Sequence, residues 1–376
     1  MKKIAVFFGG KSCEREISIL TGVFVLNLLD REKYEPIPVY LHSDGNWYSS
    51  PEMFDVESFK KPKIESYNRL SLVGNELFTF SKKIKRQTTL KSFAKLDCGL
   101  NCCHGGLGEG GGVSALSALN DLPFASPPMT PSGVFLDKAF SKIVLNGLNI
   151  PTLDYMRVNE QDYAKRGQFL LKNIRYRLGY PVVVKPARLG SSIGITAAKS
   201  EDELKSALEL AFSLDDKVII EKFLEDKSDV NCAAYLLNGE IVVSEPEIAA
   251  SGKDVYSFSD KYLQGGGLLR GKQGKSGGLD KETTHIIKAF TKTLYRKCDL
   301  FGVVRVDYLV KDKEVYLSEV NTVPGSLAYY LFCERLTDAR AFFTDLIEEA
   351  LTVARAPSKV LVETGILTTV RRGGKK

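Results

Sequence analysis

The sequence has no uninterrupted apolar run approaching the roughly 18 residues that a membrane-spanning helix requires. Its N-terminus, Met1-Lys2-Lys3 followed by Ile4–Phe8, has the charge of a secretory leader but not its length. The apolar run stops at Gly9-Gly10, too soon for an h-region. A cytoplasmic protein with no membrane partner is the expectation. Charge of one sign is also scarce: 52 Lys and Arg stand against 46 Asp and Glu, a net +6. The excess is spread out, apart from Lys82-Lys83-Ile84-Lys85-Arg86, which reads as a solvated loop, and a basic tail at 371–376. Nucleic-acid proteins concentrate such charge in a patch, so no nucleic-acid partner is expected, and the mild excess suits an anionic small ligand. A disulfide framework is missing too, because seven cysteines is an odd number in a chain of 376 residues, and this points to a reducing compartment. Cys98, Cys102, Cys103 and His104 invite a zinc site. However, Asp97–Cys103 reads as a short apolar strand whose adjacent side chains alternate faces, so Cys102 and Cys103 cannot readily share a metal and read as small buried hydrophobes. The G-x-x-x-x-G-K-[ST] phosphate loop is absent as well.

What is present is an ordinary folded chain, 44% apolar and 26% charged, long enough for two or three domains. Lys3–Phe8 reads as a buried strand, Ile17, Leu20, Phe24 and Leu28 recur at helical spacing, and Tyr34–Leu41 reads as the next strand. This strand, glycine turn, helix, strand order implies a parallel sheet. Residues 43–96 read as polar and irregular, with one hairpin where Leu70–Val73 and Leu77–Phe80 flank Gly74-Asn75. The proline-rich stretch Pro123–Pro131 marks a first boundary. Further on, Asp137–Leu145 and Glu201–Phe212 read as helices, and Tyr180–Pro186 and Lys217–Leu224 as strands. An antiparallel-looking region follows, including Val303–Val310 and Val315–Val320, and an amphipathic helix runs from Phe342 to Ala354.

Two constellations carry chemistry. Val182-Val183-Val184-Lys185-Pro186 delivers a lysine into Ala187-Arg188-Leu189-Gly190-Ser191-Ser192-Ile193-Gly194. Glycines let backbone N–H groups approach phosphate oxygens, serines add donors and the lysine adds charge; a plain hairpin connection has the same composition. The second is Arg305-Val306-Asp307 with Glu319-Val320-Asn321 and Pro324-Gly325. On neighbouring strands Asp307, Glu319 and Asn321 can share a face. Two carboxylates and an amide oxygen make a hard oxygen site for Mg²⁺, and Arg305 shares the parity of Asp307. A strand pair with a surface salt bridge is the bland alternative.

With these blocks in place, the chain resembles the D-alanine–D-alanine ligases of the ATP-grasp superfamily. The likeness also rests on Gly9-Gly10-Lys11-Ser12-Cys13-Glu14, His104-Gly105 with Gly108-Glu109, Asp137-Lys138, Glu221-Lys222-Phe223 and Lys261-Tyr262, in family order from residue 3 to about 351. It implies an α/β chain, α+β in parts, with a three-domain ATP-grasp fold. An N-terminal parallel-sheet α/β domain would cover 1–125, with ATP-grasp subdomains at 126–216 and 217–376. It also implies ATP with two Mg²⁺ ions (Mn²⁺ as an alternative), small amino-acid substrates and a homodimer. Carried over by position, Glu14, Ser191 and Tyr262 hold the first amino acid, while Arg305 and the Gly325 N–H steady the tetrahedral intermediate. Lys138, Lys185 and Lys261 contact phosphates, with Ser191 and Ser192 in the loop beside them. Glu221, Lys222, Phe223 and Leu224 meet adenine, and Asp229 meets ribose. Asp307, Glu319 and Asn321 bind metal, and Tyr330 and Leu331 take the place of the serine–leucine pair that holds the acceptor carboxylate, unless the loop is shorter by four residues and Ser326-Leu327 fill that place. The sequence departs from the family at Gly110, Leu189, the loop before Lys261 and Tyr330. The implied reaction joins two small amino acids, D-alanine with D-alanine, through an acyl phosphate, as in peptidoglycan precursor synthesis. A ligase with another acceptor and an inactive nucleotide-binding regulator are the alternatives. The tyrosine at 262 weighs against ester formation, and the intact Arg305, Asp307, Glu319 and Asn321 weigh against an inactive protein.

Overall fold

The computed structural model describes residues 1–80, 89–249 and 278–354. The first strand, β1 (Lys2–Gly9), has Ile4–Phe8 fully buried. It pairs in parallel with β2 (Tyr34–Leu41) on one side and β7 (Cys98–Asn101) on the other, with helix α1 (Arg15–Leu28) connecting β1 to β2. The expected parallel start is therefore present. Beyond β2 the sheet continues through β3 (Trp47–Ser49), β4 (Asn68–Val73), β5 (Glu76–Phe80) and β6 (Leu90–Lys95), all antiparallel, and β8 (Phe124–Ala125) closes the far edge. The Gly74-Asn75 hairpin forms as expected, with Val73 opposite Glu76. The rest of 43–96 is more ordered than its polarity suggests, because β6 is an edge strand with a largely solvent-facing surface and so lacks a clear apolar alternation. Cys102 packs in the core cluster that includes Phe8, and Cys103 in the cluster that includes Phe7. Adjacent thiols thus enter different cores, and burial pushes the Cys103 thiol up to about 12.

Helices α2 (Val113–Leu119), α3 (Met129–Leu136) and α4 (Lys138–Gly147) follow. The proline-rich stretch expected to be a boundary runs into α3. Pro131 lies in its first turn, where a missing N–H costs nothing. Asp137 caps α4, accepting from the Ala139 and Phe140 N–H groups at 3.0 and 3.2 Å.

The second sheet has strand order β11 (Thr196–Ala198), β10 (Val182–Pro186), β12 (Lys217–Lys222) and β9 (Tyr155–Asn159), and every pairing is antiparallel. Helices α5 (Glu160–Leu178) and α6 (Glu201–Phe212) pack on it through Leu171, Ile174, Leu204 and Leu208. Strand β12 hydrogen-bonds along β10, so the expected break at 216 falls at the edge of a strand that belongs to this middle sheet.

The third sheet is built on β13 (Ser228–Leu237), which pairs with β14 (Glu240–Val243), β15 (Glu247–Ile248) and β16 (Val304–Lys311). β16 pairs in turn with β17 (Glu314–Asn321). Helix α7 (Lys281–Lys297) covers one face through Ile287 and Leu294. The closing helix α8 (Ala339–Ala354) joins the first sheet to the third, since Phe342, Phe343, Leu346 and Ile347 share one core with Phe8, Leu26 and Tyr235. Each such side chain, fully buried, contributes about 1.5–3 kcal/mol. Among the described residues no helix is long and apolar enough to cross a membrane.

Candidate active site

The site forms where the loops following β1, β7 and β10 meet the edge pair β16–β17. Glu14 sits at the start of α1, where the macrodipole favours a carboxylate, but it makes no side-chain capping bond. Its carboxylate instead receives the Ser191 hydroxyl, bringing together residues 177 apart in sequence. Glycine makes this approach possible. A Cβ at Gly105 or Gly190 would come within 2.8 or 2.7 Å of a Glu14 carboxylate oxygen, and Gly105 has φ +66°. Glu109 lies behind them. It accepts from the Gly105 N–H at 2.7 Å and the Val323 N–H at 3.5 Å. Burial, reinforced by the Glu14 charge, pushes its carboxyl up to about 8.

Lys138 enters from the first turn of α4. Its Nζ lies 2.8 Å from Glu319 Oε1 and donates to the Leu189 carbonyl at 2.6 Å. Burial opposes its charge, yet Glu319 leaves its pKa raised. On β10, Val182 and Val184 face the core and Lys185 faces the site, where it pairs with the Glu221 carboxylate. Burial works against the Glu221 charge, but Lys185 and Lys142 together hold that carboxyl down to about 2. Between them runs the glycine-serine loop, with Ser191 and Ser192 in left-handed backbone at φ 52° and 59°. Such reversals turn successive N–H groups toward one concavity suited to anions. The Arg188 side chain and N–H both bind Asp215, anchoring the start of the loop. Two lysines beside a left-handed serine loop are a donor set that fits nucleotide phosphates.

Along the expected adenine hinge, the Lys222 and Phe223 N–H groups donate to the Asp154 and Pro181 carbonyls at 3.0 and 3.1 Å. Phe223 and Leu224 are half-buried. Asp229, expected at the ribose, lies 2.6 Å from Lys227 Nζ.

In the β16–β17 ladder Asp307 is directly opposite Glu319 and Arg305 opposite Asn321. Directly opposed residues point to the same face, so the four side chains gather as the spacing suggested. Arg305 grips Asp307 through Nε and Nη2 at 2.7 and 3.0 Å, and Asn321 Nδ2 donates to Asp307 Oδ2 at 2.9 Å. Asp307, Glu319 and Asn321 are hard oxygen donors on one face, a set that fits Mg²⁺. Among the described residues no group of three or more His, Cys, Asp or Glu is gathered like a metal site; the trio consists of two carboxylates and an amide.

Gly325 opens a turn to Leu331 in which Ser326, Leu327 and Ala328 are left-handed. The Ser326 N–H donates to Thr21 Oγ1 at 3.1 Å, and that hydroxyl lies 2.9 Å from His104 Nε2. Burial lowers His104 to about 4, so its ring is neutral at pH 7. Tyr330 stands at the site with its hydroxyl accepting from Arg305 Nη1 at 3.3 Å. The Leu331 side chain instead packs in the core, which leaves only its backbone for any ligand.

Lys261 and Tyr262 lie outside the described residues. Sequence reasoning missed Glu109 as a site group. It also missed Lys142, the second partner of Glu221 at 2.7 Å, and Asn231, which is opposite Asp307 on β13. The spacing of Lys142 four residues after Lys138 was a usable signal, since i and i+4 share a helix face. Asn231 offers none before the register is known. At Gly110, where the family has aspartate, a Cβ would lie 2.7 Å from Leu136 Cδ2, the end of a side chain that can turn aside, so the structure gives no reason for the glycine.

Comparison with known proteins matches residues 3–127 to a family model described as D-ala D-ala ligase N-terminus and residues 144–352 to one described as D-ala D-ala ligase C-terminus. A D-alanine–D-alanine ligase from Thermosipho africanus is 34% identical over 344 residues, 88% of each chain. One from Thermosipho melanesiensis is 30% identical over 377 residues, 98% of each. The crystal structure of D-alanine–D-alanine ligase from Helicobacter pylori superposes with a TM-score of 0.75 at 27% identity, covering 96% of this chain and all of that one.

Proposed function

The chain belongs to the family of D-alanine–D-alanine ligases, which are ATP-dependent ligases, and on that premise we propose that it joins D-alanine to a second D-alanine with release of ADP and phosphate. The carrying observation is the convergence of Glu14, Ser191, Lys138, Glu319, Asp307 and Arg305 from all three sheets on one place. Glu14, with Ser191, holds the ammonium of the donor. The donor carboxylate attacks the γ-phosphorus of ATP, ADP leaves, and an acyl phosphate forms. The acceptor amine then attacks the acyl carbon while Arg305 and the Gly325 N–H stabilise the oxyanion. Phosphate leaves and the amine gives up its proton. Lys138, Lys185 and Lys261, with the Ser191-Ser192 loop, hold the phosphates, and Tyr262 closes over the donor. Glu221–Leu224 border the adenine, and Asp229 is the ribose group once Lys227 yields it. Mg²⁺, two ions held by Asp307, Glu319 and Asn321, with Mn²⁺ as a substitute, supplies neutralisation of phosphate charge.

The fold divides for this purpose into an N-terminal unit of about 1–125, a middle unit that keeps β12 and so extends to about 224, and a C-terminal remainder. The protein acts in the cytoplasm as a homodimer. Exposed Leu107, Leu119 and Met129, near α2 and α3, supply apolar surface for the partner.

A second reading concerns the acceptor, because Tyr330 occupies the position beside Arg305 where a small serine is usual. A phosphate-release assay with a panel of D- and L-amino acids tests both readings. Turnover requiring D-alanine and rising with a second D-alanine supports the first. Turnover requiring D-alanine together with a different amino acid supports the second, and release without any D-alanine dependence overturns both.

A further inference from the structure

Lys142 has no part in the scheme above, yet it is among the most deeply buried charged groups, its side chain 2% exposed. It lies one turn beyond Lys138 on α4 and points inward to Glu221, with Nζ 2.7 Å from Oε1. The Leu153 carbonyl at 3.2 Å and the Tyr155 ring, 5.1 Å to its centroid, hold the same ammonium. The other oxygen of Glu221, Oε2, is taken by Lys185. One carboxylate, 3% exposed, therefore sits between two ammoniums. The three groups carry a net charge of +1, which is costly in a buried place unless an anion completes it. The two lysines are not equivalent. Lys185 is 13% exposed at the site edge, while Lys142 is walled in and has partners besides Glu221.

Resting on the reading of Lys185 as a phosphate-contacting group, we propose that Lys142 is a reserve counter-ion, which stays with Glu221 so that Lys185 can turn from the carboxylate to the nucleotide phosphates. The separate oxygens make this exchange local: Oε2 is vacated while Oε1 remains bound. Without Lys142, Glu221 would depend on Lys185 as its close cation, and a nucleotide would have to strand a buried carboxylate to recruit it. Lys142 is thus a positioning residue that acts through Lys185, and after the exchange the Lys142–Glu221 pair is neutral.

The test is calorimetric binding of a non-hydrolysable ATP analogue with Mg²⁺ to wild type, Lys142→Met, Glu221→Gln and Lys142→Met/Glu221→Gln, with melting temperatures read on the same samples. Lys142→Met keeps a neutral Lys185–Glu221 pair and should fold. Its affinity should drop by about tenfold or more, because the fraction of molecules with Lys185 free to engage phosphate falls. Because Glu221 also borders the adenine, the double variant is compared with Glu221→Gln alone: with no charge there to detain Lys185, Lys142→Met should change affinity by less than about threefold. Wild-type affinity in Lys142→Met, or a loss on the Glu221→Gln background as large as on wild type, overturns the inference while the reading of Lys185 stands. Failure of wild type to bind the analogue overturns that reading as well. If Lys142→Met alone does not fold, the pair with Glu221→Gln decides: affinities within about threefold of each other are expected, and a further loss of about tenfold or more in the double variant overturns the proposal.

Discussion

Single residues divide by whether a motif surrounds them. Glu14, Lys138, Ser191, Arg305 and Asp307 were legible because each stands in a short block whose spacing fits one chemistry, and the structure brings them together. Glu109 stands in a recognised block too, but its role was not legible, because a glutamate among glycines has no periodicity to reveal that it will be buried. Its consequence is measurable. Glu109 is raised from 4.5 to about 8 in the folded chain, so the folded state holds this proton more tightly than the unfolded state. Its contribution is complete below about pH 4.5 and is lost as pH rises through 8. His104 runs the other way. Lowered from 6.5 to about 4, it contributes stability that is complete above 6.5 and lost as pH falls through 4. Between pH 6.5 and 8, of these two groups only Glu109 still titrates. The melting temperature of the ligand-free protein should therefore fall across that interval, and Glu109→Gln should flatten the fall. Calorimetric scans of both proteins at the two pH values check this, and parallel slopes would remove Glu109 as the cause.

Among the elements, strands with continuous apolar runs, such as Ile4–Phe8 and Val182–Val184, were legible, as were helices whose apolar residues recur densely at helical spacing, such as α6 and α8. Helices α5 and α7 were not. The buried stripe of α7 includes Thr283 and Thr291, whose hydroxyls are satisfied locally by Asp280 and the Ile287 carbonyl, so the face reads as polar in sequence. Only Leu171, Ile174 and Leu178 are buried in α5, too sparse a stripe to distinguish a helix from a solvated linker. The glycine-dense turn into α2 was recognised as a motif, but its mechanical reason is geometric. Gly111 has φ +96°, and a Cβ on it would lie 2.7 Å from the Met129 carbonyl oxygen, backbone that cannot step aside. Gly111→Ala should cost about 1–3 kcal/mol through left-handed strain alone, and more if the Met129 segment shifts. Denaturant unfolding measures it; a change below about 0.5 kcal/mol, the scale of an ordinary surface substitution, would contradict the strain argument.

For the molecule as a whole, the three sheets matter because none holds the site alone. Glu14 and Glu109 come from the first, Lys185 and Glu221 from the second, and Arg305, Asp307 and Glu319 from the third. Helix α8 ties the outer two together, with Lys2 Nζ 2.7 Å and the Tyr34 hydroxyl 2.6 Å from its Glu348. This long-range closure was invisible in sequence, because a lysine at position 2 and a glutamate at 348 share no local pattern. The order of the blocks was visible, and it led to the ligase chemistry. That chemistry has a direct isotopic signature. If the donor carboxylate attacks ATP and the resulting acyl phosphate is broken by an amine, one carboxylate oxygen must leave on phosphate. Turnover of ATP with D-alanine labelled by ¹⁸O in its carboxylate, followed by mass spectrometry of the products, should yield dipeptide and inorganic phosphate in equal amounts, with one labelled oxygen in each phosphate. Unlabelled phosphate, or phosphate formed without dipeptide, would contradict the account.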